Sequence, residues 1–563
     1  MPSYPFQKLC CVHPVNNPQP FLFAASGPLI SSFDLKDGSV LSRWPNQDST
    51  AREESSEEAT GDGNRLNKRR KLDTEDSTCL SRQTSEDSIE IISERKKETR
   101  IKPKVESAQQ PNISHLLATS DGTTVIAVMA EDKSVNVFEV QSEGTLKLQS
   151  KRCMPKRMCA VVLTPDEKTI LVGDKFGDVY TLPLYPLADW VPRKSEEPAT
   201  WTPSATELTV HTKGNLHALR QQREQRIHNP KKEGLEFEHK LLLGHVSLLT
   251  DVVIAEIQDG PRRKQYILTS DRDEHIRVSR GVSQAYIIEG YCLGHQDFVS
   301  CLSILPWDPK LLVAGSGEPS LKVFDWQSGR LLDDGLLQRD VQDDITTALA
   351  HNHEGRTINR LVVSGIWPIH HNVIQNSSCA SQPPHILLVA LEGLPILLSY
   401  MLDDGGKLLH HQTLALSGNV LDVGIRPAQW EVIVSLDTVH CLGSLKTFAP
   451  RETPALKMFE SFKFPYISGS TAQLKDQVEL QWESSSFAMQ LNDAASKIER
   501  AEIPAEHATE VAGTYSALGE MLYGLENLRK KRWQELTNVD EEEPLEEAIV
   551  EAEAHVQPEQ VNV

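Results

Sequence analysis

The chain has 563 residues, with Lys+Arg 58 against Asp+Glu 79, a formal net charge of −21, and 39% hydrophobic residues. That apolar share is lean for a uniformly packed globule, so part of the chain is expected to be disordered. The longest apolar runs, 386–391 and 394–398, fall far short of the roughly 18 residues of a membrane span. Met1-Pro2-Ser3-Tyr4-Pro5-Phe6 does not read as a secretory signal. The nine scattered cysteines point to a reducing compartment, and the acidic balance argues against free binding to nucleic acid.

In chain order, the first strand signals are Phe21-Leu22-Phe23-Ala24 and Ile30-Ser31-Ser32-Phe33. Residues 45–111 then lack aromatics and carry dense charge of both signs, which predicts a disordered insertion. Its two basic clusters, Lys68-Arg69-Arg70-Lys71 and Arg95-Lys96-Lys97, suit nuclear import. Strand signals resume at 115–118, 125–128, 135–138, 159–162, 170–172 and 179–182. Residues 185–239 read as an inter-blade insertion that turns basic through Arg220, Arg223 and Arg226. Further strands follow from Leu241 and after Gly294, and 353–384 reads as a loop insertion. Two more strand pairs follow, 386–390 with 396–400 and 420–423 with 431–434. Residues 450–563 read as a tail with an amphipathic helix at about 516–535 and an acidic, disordered end.

The spacing of these strands decides the fold class. Val135 to Val179 is 44 residues, Ile276 to Leu321 is 45, and Gly244-His245 precedes Gly294-His295 by 50. The longer gaps of 105 and 97 residues fall where the insertions lie. A period near 40–45 with Gly-His early and Trp-Asp late marks the WD repeat, one four-stranded blade of a propeller. The prediction is an all-β, seven-bladed WD-repeat β-propeller built from 1–44 and 112–449, with disordered insertions and a C-terminal helical tail. A strand near residues 6–12 is expected to complete the last blade, leaving no exposed edge. His245, Asp273, His295 and Trp326 are expected to be structural, with Asp273 as the partner of His245. Glu318 stands where the next repeat would carry its turn aspartate, and Phe324-Asp325-Trp326 is a worn Trp-Asp ending.

Catalytic signatures are missing from the sequence. It has no C-x-x-C, no G-x-S-x-G and no phosphate-binding loop. Ala314-Gly315-Ser316-Gly317 follows an apolar run, but the strand-like Leu321-Lys322-Val323-Phe324 comes next where a nucleotide loop needs a helix. No catalytic residue, metal or cofactor is assigned.

The run Ser270-Asp271-Arg272-Asp273-Glu274-His275-Ile276-Arg277, followed by Leu293-Gly294-His295 and Phe298-Val299-Ser300, is more specific than a generic WD repeat. Together with the tail segment Tyr523-Gly524-Leu525-Glu526-Asn527-Leu528-Arg529-Lys530-Lys531-Arg532, it resembles the non-catalytic WD-repeat subunit of fungal-type tRNA (guanine-N7-)-methyltransferase. The resemblance implies a nuclear protein without catalytic activity. It would bind and stabilise a separate catalytic subunit, forming a heterodimer that makes N7-methylguanine in the tRNA variable loop. This chain would meet tRNA indirectly or weakly. A generic nuclear scaffold for chromatin or ubiquitin-ligase assembly is the alternative.

Strand alternation places Arg277 opposite Ile276 and Val278, so a basic side chain is offered to a partner carboxylate. Arg277, Arg272, Asp271 and Lys264 are the candidate partner-binding residues, with an intra-propeller ion pair as the alternative role. The tail helix would place Leu518, Met521, Leu522, Leu525 and Leu528 on one stripe. That stripe could pack on the propeller, meet the partner or approach tRNA.

Overall fold

The computed structural model describes residues 3–15, 17, 19–45, 111–186, 190, 208–210, 212–224, 235–336, 339–350, 357–370, 385–403, 405–449, 457–465, 480–498, 500–503 and 517–530. The chain divides into one unit of 1–44 with 111–563 and a second of 45–110. The insertion expected at 45–111, its basic clusters and the acidic end lie outside the described residues, apart from Pro45 and Pro111.

The first unit forms seven four-stranded antiparallel sheets, one per blade. Blade one holds β1 (Phe6–Val12), β2 (Phe21–Ser26), β3 (Leu29–Asp34) and β4 (Val40–Trp44). Blade two holds β5 (Ile113–Ala118), β6 (Thr124–Met129), β7 (Ser134–Val140) and β8 (Leu146–Cys153). Blade three holds β9 (Met158–Leu163), β10 (Thr169–Asp174), β11 (Asp178–Pro183) and β12 (Lys240–Gly244). Blade four holds β13 (Leu249–Asp259), β14 (Arg262–Asp271), β15 (Ile276–Arg280) and β16 (Ile288–Cys292). Blade five holds β17 (Val299–Leu305), β18 (Asp308–Ser316), β19 (Ser320–Asp325) and β20 (Arg330–Leu336). Blade six holds β21 (Val363–Ile369), β22 (Ile386–Leu391), β23 (Ile396–Leu402) and β24 (Leu408–Ala415). Blade seven holds β25 (Val420–Arg426), β26 (Glu431–Leu436), β27 (Phe459–Lys463) and β28 (Glu483–Ser484).

The seven-bladed count stands, but the blade boundaries move. β1 pairs with β2 and opens blade one, so it does not complete the last blade. Blade seven finishes with β27 and β28, which lie in the stretch assigned to the tail after 449. β21 falls inside the expected 353–384 loop, and the strand at Leu241, from which the sequence pattern would start the fourth blade, closes blade three. Helix α1 (Lys213–Glu224) sits in the 185–239 insertion. Helix α2 (Arg339–Leu349) joins blades five and six and adds Val341 and Ile345 to their shared core. Helix α3 (Phe487–Ser496) packs on blades one and seven through Phe487, Leu491 and Ala495.

Apolar clusters lie between neighbouring blades, which is why the middle strands are buried on both faces. All six residues of β22 and all seven of β23 are buried, so neither alternates. Gly315 belongs to this packing. A Cβ there would lie 2.6 Å from Val363 Cγ1 and 2.8 Å from Cys301 Sγ, so the glycine allows blade six to approach blade five.

The innermost strands are joined by polar staples around the ring. Gln7 Nε2 donates to the Ile113 carbonyl (3.1 Å), and His115 Nε2 contacts the Cys159 carbonyl (3.1 Å). The Cys159 thiol reaches Leu249 O (3.2 Å), Leu302 N donates to Asp251 (2.8 Å), and the Ser300 hydroxyl to Val363 O (2.6 Å). Between the last and first blades, Leu9 N donates to Asp422 Oδ2 (2.8 Å). That seam is also packed by Phe6 stacked on Phe459 at 4.8 Å. Closure is therefore made mainly by side chains, beside one backbone bridge between Ser3 and Glu502, and not by a shared strand.

Candidate docking site on blade four

β14 ends in a tight turn, with Asp271 as the last strand residue and Glu274 at φ 72°. Asp271 Oδ1 accepts the backbone N–H groups of Asp273 (2.9 Å) and His275 (3.1 Å), which fixes the turn. Its Oδ2 meets His245 Nδ1 at 3.2 Å, while His245 Nε2 meets the Thr269 hydroxyl at 2.7 Å. The histidine's partner is thus Asp271 and not Asp273, which lies at the turn's outer tip. Burial would raise the Asp271 carboxyl, but bonds from His245 and His275 outweigh it and hold the group below its usual range. Asp271 is therefore a structural residue, buried at 5% exposure, and not a free docking group.

The next repeat shows what a glutamate does in the same place. His295 is fully buried as a side chain, with Nδ1 3.7 Å from Glu318 and neither ring nitrogen hydrogen-bonded. One methylene longer than aspartate, Glu318 carries its Oε1 to the backbone N–H groups of Gln296 and Asp297. Burial opposes its ionisation, but His295, the Gln296 N–H and Lys322 pull the carboxyl down to about 2. Trp326 is buried as expected, donating from Nε1 to Pro309 O at 2.8 Å and lying 5.0 Å from the Tyr266 ring.

The structure does not bring the four candidate docking residues together. Lys264 sits at the far end of β14 from Asp271, paired with Asp259. Arg272 donates from Nε to the carbonyl of Leu528 (2.7 Å), so it is held by this chain's own C-terminal segment. Arg277 is 9% exposed and is not displayed on an open face. Its Nη1 donates to Gly244 O at 3.0 Å, and its buried Nε has no hydrogen-bond partner. It floors a groove of about 440 Å³ whose walls include Val246, Tyr291 and Leu293. Those three side chains are exposed. A cation at the base of an apolar rim is suited to a carboxylate or carbonyl carried by a protein partner.

The tail helix is shorter than the apolar stripe predicts. Helix α4 covers only Ala517–Leu522, and after Tyr523-Gly524 a 3-10 turn covers Glu526–Leu528. Residues 517–530 form a strap bonded to four blades in turn. On blade seven, Leu518 packs with Val439, and the buried Tyr523 hydroxyl donates to Asp437. On blade six, Glu392 accepts the N–H groups of Leu525 (2.9 Å) and Glu526 (3.2 Å). On blade five, Arg529 donates to Asp297 and to Gly317 O (2.8 Å). On blade four, Lys530 pairs with Asp273 (2.9 Å) and Glu274 (3.5 Å). Sequence reasoning missed Asp297, Glu392 and Asp437, because their roles depend on a segment remote in sequence. The available signal was Gly524, which interrupts the stripe.

Among the described residues, no group of three or more His, Cys, Asp or Glu side chains could hold a metal ion. The family model described as "tRNA methyltransferase TRM82 WD40 domain" matches residues 22–462. The chain belongs to the TRM82 family. It is 38% identical over 526 residues to the "tRNA (guanine-N(7)-)-methyltransferase non-catalytic subunit TRM82" of Coccidioides immitis, covering 90% of this chain and 95% of that one. It is 38% identical to the Aspergillus oryzae protein of that description, covering 92% and 95%. Identity is 28% to the Debaryomyces hansenii protein, covering 74% and 83%. The span matched by the TRM82 model takes in the Arg277 groove and ends before the strap.

Proposed function

We propose that the protein is the non-catalytic subunit of a nuclear tRNA (guanine-N7-)-methyltransferase, binding and stabilising a separate catalytic subunit that modifies guanine in the tRNA variable loop. The observation that carries this reading is the likeness to the non-catalytic subunits, which spans 90% of this chain and 95% of the Coccidioides immitis protein. The Arg277 groove is the docking site in this reading. Its rim of Val246, Tyr291 and Leu293 supplies apolar contact area, and Arg277 pairs with a carboxylate of the partner. The heterodimer binds tRNA mainly through the partner.

The test is co-expression with the cognate catalytic subunit, affinity purification and a guanine-N7 methylation assay. Methylation is expected only with both chains present. Arg277→Leu is expected to lower recovery of the partner at least tenfold while the chain stays folded. Activity of either chain alone, or unchanged recovery with Arg277→Leu and with Leu293→Asp, overturns the respective part of the reading.

A further inference from the structure

Residues 528–530 of the strap link blade five to the turn that walls the Arg277 groove. Arg529 is the fixed point. Its guanidinium donates to Asp297 and to Gly317 O (2.8 Å), bonds both carboxylate oxygens of Glu526 (2.9 Å each) and lies 5.7 Å from the centre of the Phe298 ring. Its side chain is 19% exposed, so most of it is committed within this chain. The backbone at Arg529 is extended (φ −61°, ψ 131°), which sends Lys530 away from Arg529. Both neighbours of Arg529 then hold blade four. Leu528 O accepts from Arg272 Nε at 2.7 Å, and Lys530 Nζ pairs with Asp273 at 2.9 Å and Glu274 at 3.5 Å. The three charged side chains at the tip of the turn are all taken by the strap.

The same turn is a wall of the groove. Asp273, His275 and Arg277 line it from the turn and β15, and Val246 and Ser247 line it from the loop after β12. The Arg272 N–H donates to Leu248 O at 2.9 Å, so the turn also holds that loop. No strap residue lines the groove. The strap therefore grips the turn from outside and leaves the groove open, as a brace does and a plug does not. Glu274 stands at φ 72°, a backbone conformation that a residue with a side chain adopts at a cost, and its carboxylate is one of the two that Lys530 holds.

We propose that Arg529, Lys530 and the Leu528 carbonyl are positioning groups of the docking site. They hold the 271–275 turn, and through it the Arg277 groove, in the shape that the catalytic subunit binds. The proposal rests on the reading of that groove as the docking site. The partner's affinity then depends on a segment that the partner need not touch. The dependence is reciprocal, so a bound partner in turn holds the strap down.

Titration calorimetry of the full chain with the catalytic subunit, beside amide exchange of the free chain, tests it. Arg529→Gln/Lys530→Gln is expected to bind about fivefold or more weakly, the lower end of ordinary coupling between sites. Its Asp273 and His275 amides, both held by Asp271, are expected to exchange faster. Lys530→Arg, which keeps the charge, and Lys497→Gln, which breaks an exposed ion pair beside α3, are expected to bind as the unaltered chain does. Melting curves establish that the variants fold; if the double variant does not, Lys530→Gln alone serves, with a smaller loss expected. Unchanged affinity overturns the proposal, as does an equal loss in Lys530→Arg or Lys497→Gln. Weaker binding without faster turn exchange also overturns it, because Arg529 or Lys530 would then touch the partner directly. Unchanged affinity in Arg277→Leu and in Leu293→Asp is a different failure: it overturns the docking reading, and the brace with it.

Discussion

Tyr523→Phe isolates what holds the strap down. The ring is 2% exposed, and the substitution keeps its packing while removing one hydroxyl. That hydroxyl donates to Asp437, which is itself buried and accepts the N–H groups of Val439 (2.7 Å) and His440 (3.2 Å) and the ring of His440 (2.7 Å). Tyr523 also accepts a long bond from Asn419 Nδ2 (3.4 Å), but Asn419 keeps the carbonyls of Cys441 and Ser444 and Asp437 keeps its other donors, so the loss is mainly that of the hydrogen bond to a charged acceptor, about 2 kcal/mol. If the strap opens as a unit, its open population rises about 30-fold, since about 1.4 kcal/mol is tenfold. Amide hydrogen exchange reads this directly at Leu525 and Glu526, whose N–H groups are held by Glu392. Both should exchange about 30-fold faster, while blade amides such as Val389 are unchanged and melting shifts by a few degrees at most. Unchanged exchange at Leu525 and Glu526, or acceleration spread evenly through the blades, would refute the idea of a strap with its own opening equilibrium.

Two further outcomes follow from the turn geometry. His245→Ala should cost about 2–3 kcal/mol in urea denaturation, because it strips the Thr269 hydroxyl and Asp271 of a buried partner. Glu318 makes stability pH-dependent: its carboxyl is lowered from 4.5 to about 2, so its contribution is fully present above about pH 4.5 and is lost as pH falls toward 2. That displacement corresponds to up to about 3 kcal/mol. Urea titrations from pH 6 down to about 2 should show a shallower loss in Glu318→Gln than in the unaltered chain.

The ring was legible from spacing because the turn and third strand of a blade recur at 44 and 45 residues where no insertion intervenes. Blade seven was harder to read. β26 and β27 are separated by 437–458, and β28 is two residues long, so no regular period connects them. β21 was masked by its own composition: Val363-Ser364-Gly365-Ile366-Trp367-Pro368-Ile369 contains glycine and proline, which read as a loop. At the docking face, the sequence singled out the right turn but misassigned its side chains. Asp271 and Asp273 are both acidic and two apart, and only the end of β14 decides which one faces His245. The depth of Arg277 was equally hidden, since alternation gives a side chain's face but not how far neighbouring loops rise around it. The apolar stripe offered packing on the propeller as one of three roles, but the strap's course across four blades could not be read, because its polar partners lie 86 to 257 residues away.

Ring closure by side chains has a consequence for biosynthesis. Every blade is made of four consecutive strands, so each finds its hydrogen-bonding partners within its own stretch of chain. Blade one needs nothing from the C-terminus to complete its sheet. A nascent chain can therefore assemble blades one to six while residues from 420 onward are still inside the ribosome. The Leu9–Asp422 staple then joins the oldest blade to the newest, and the strap, translated later still, can seat only on a ring whose last blade has arrived.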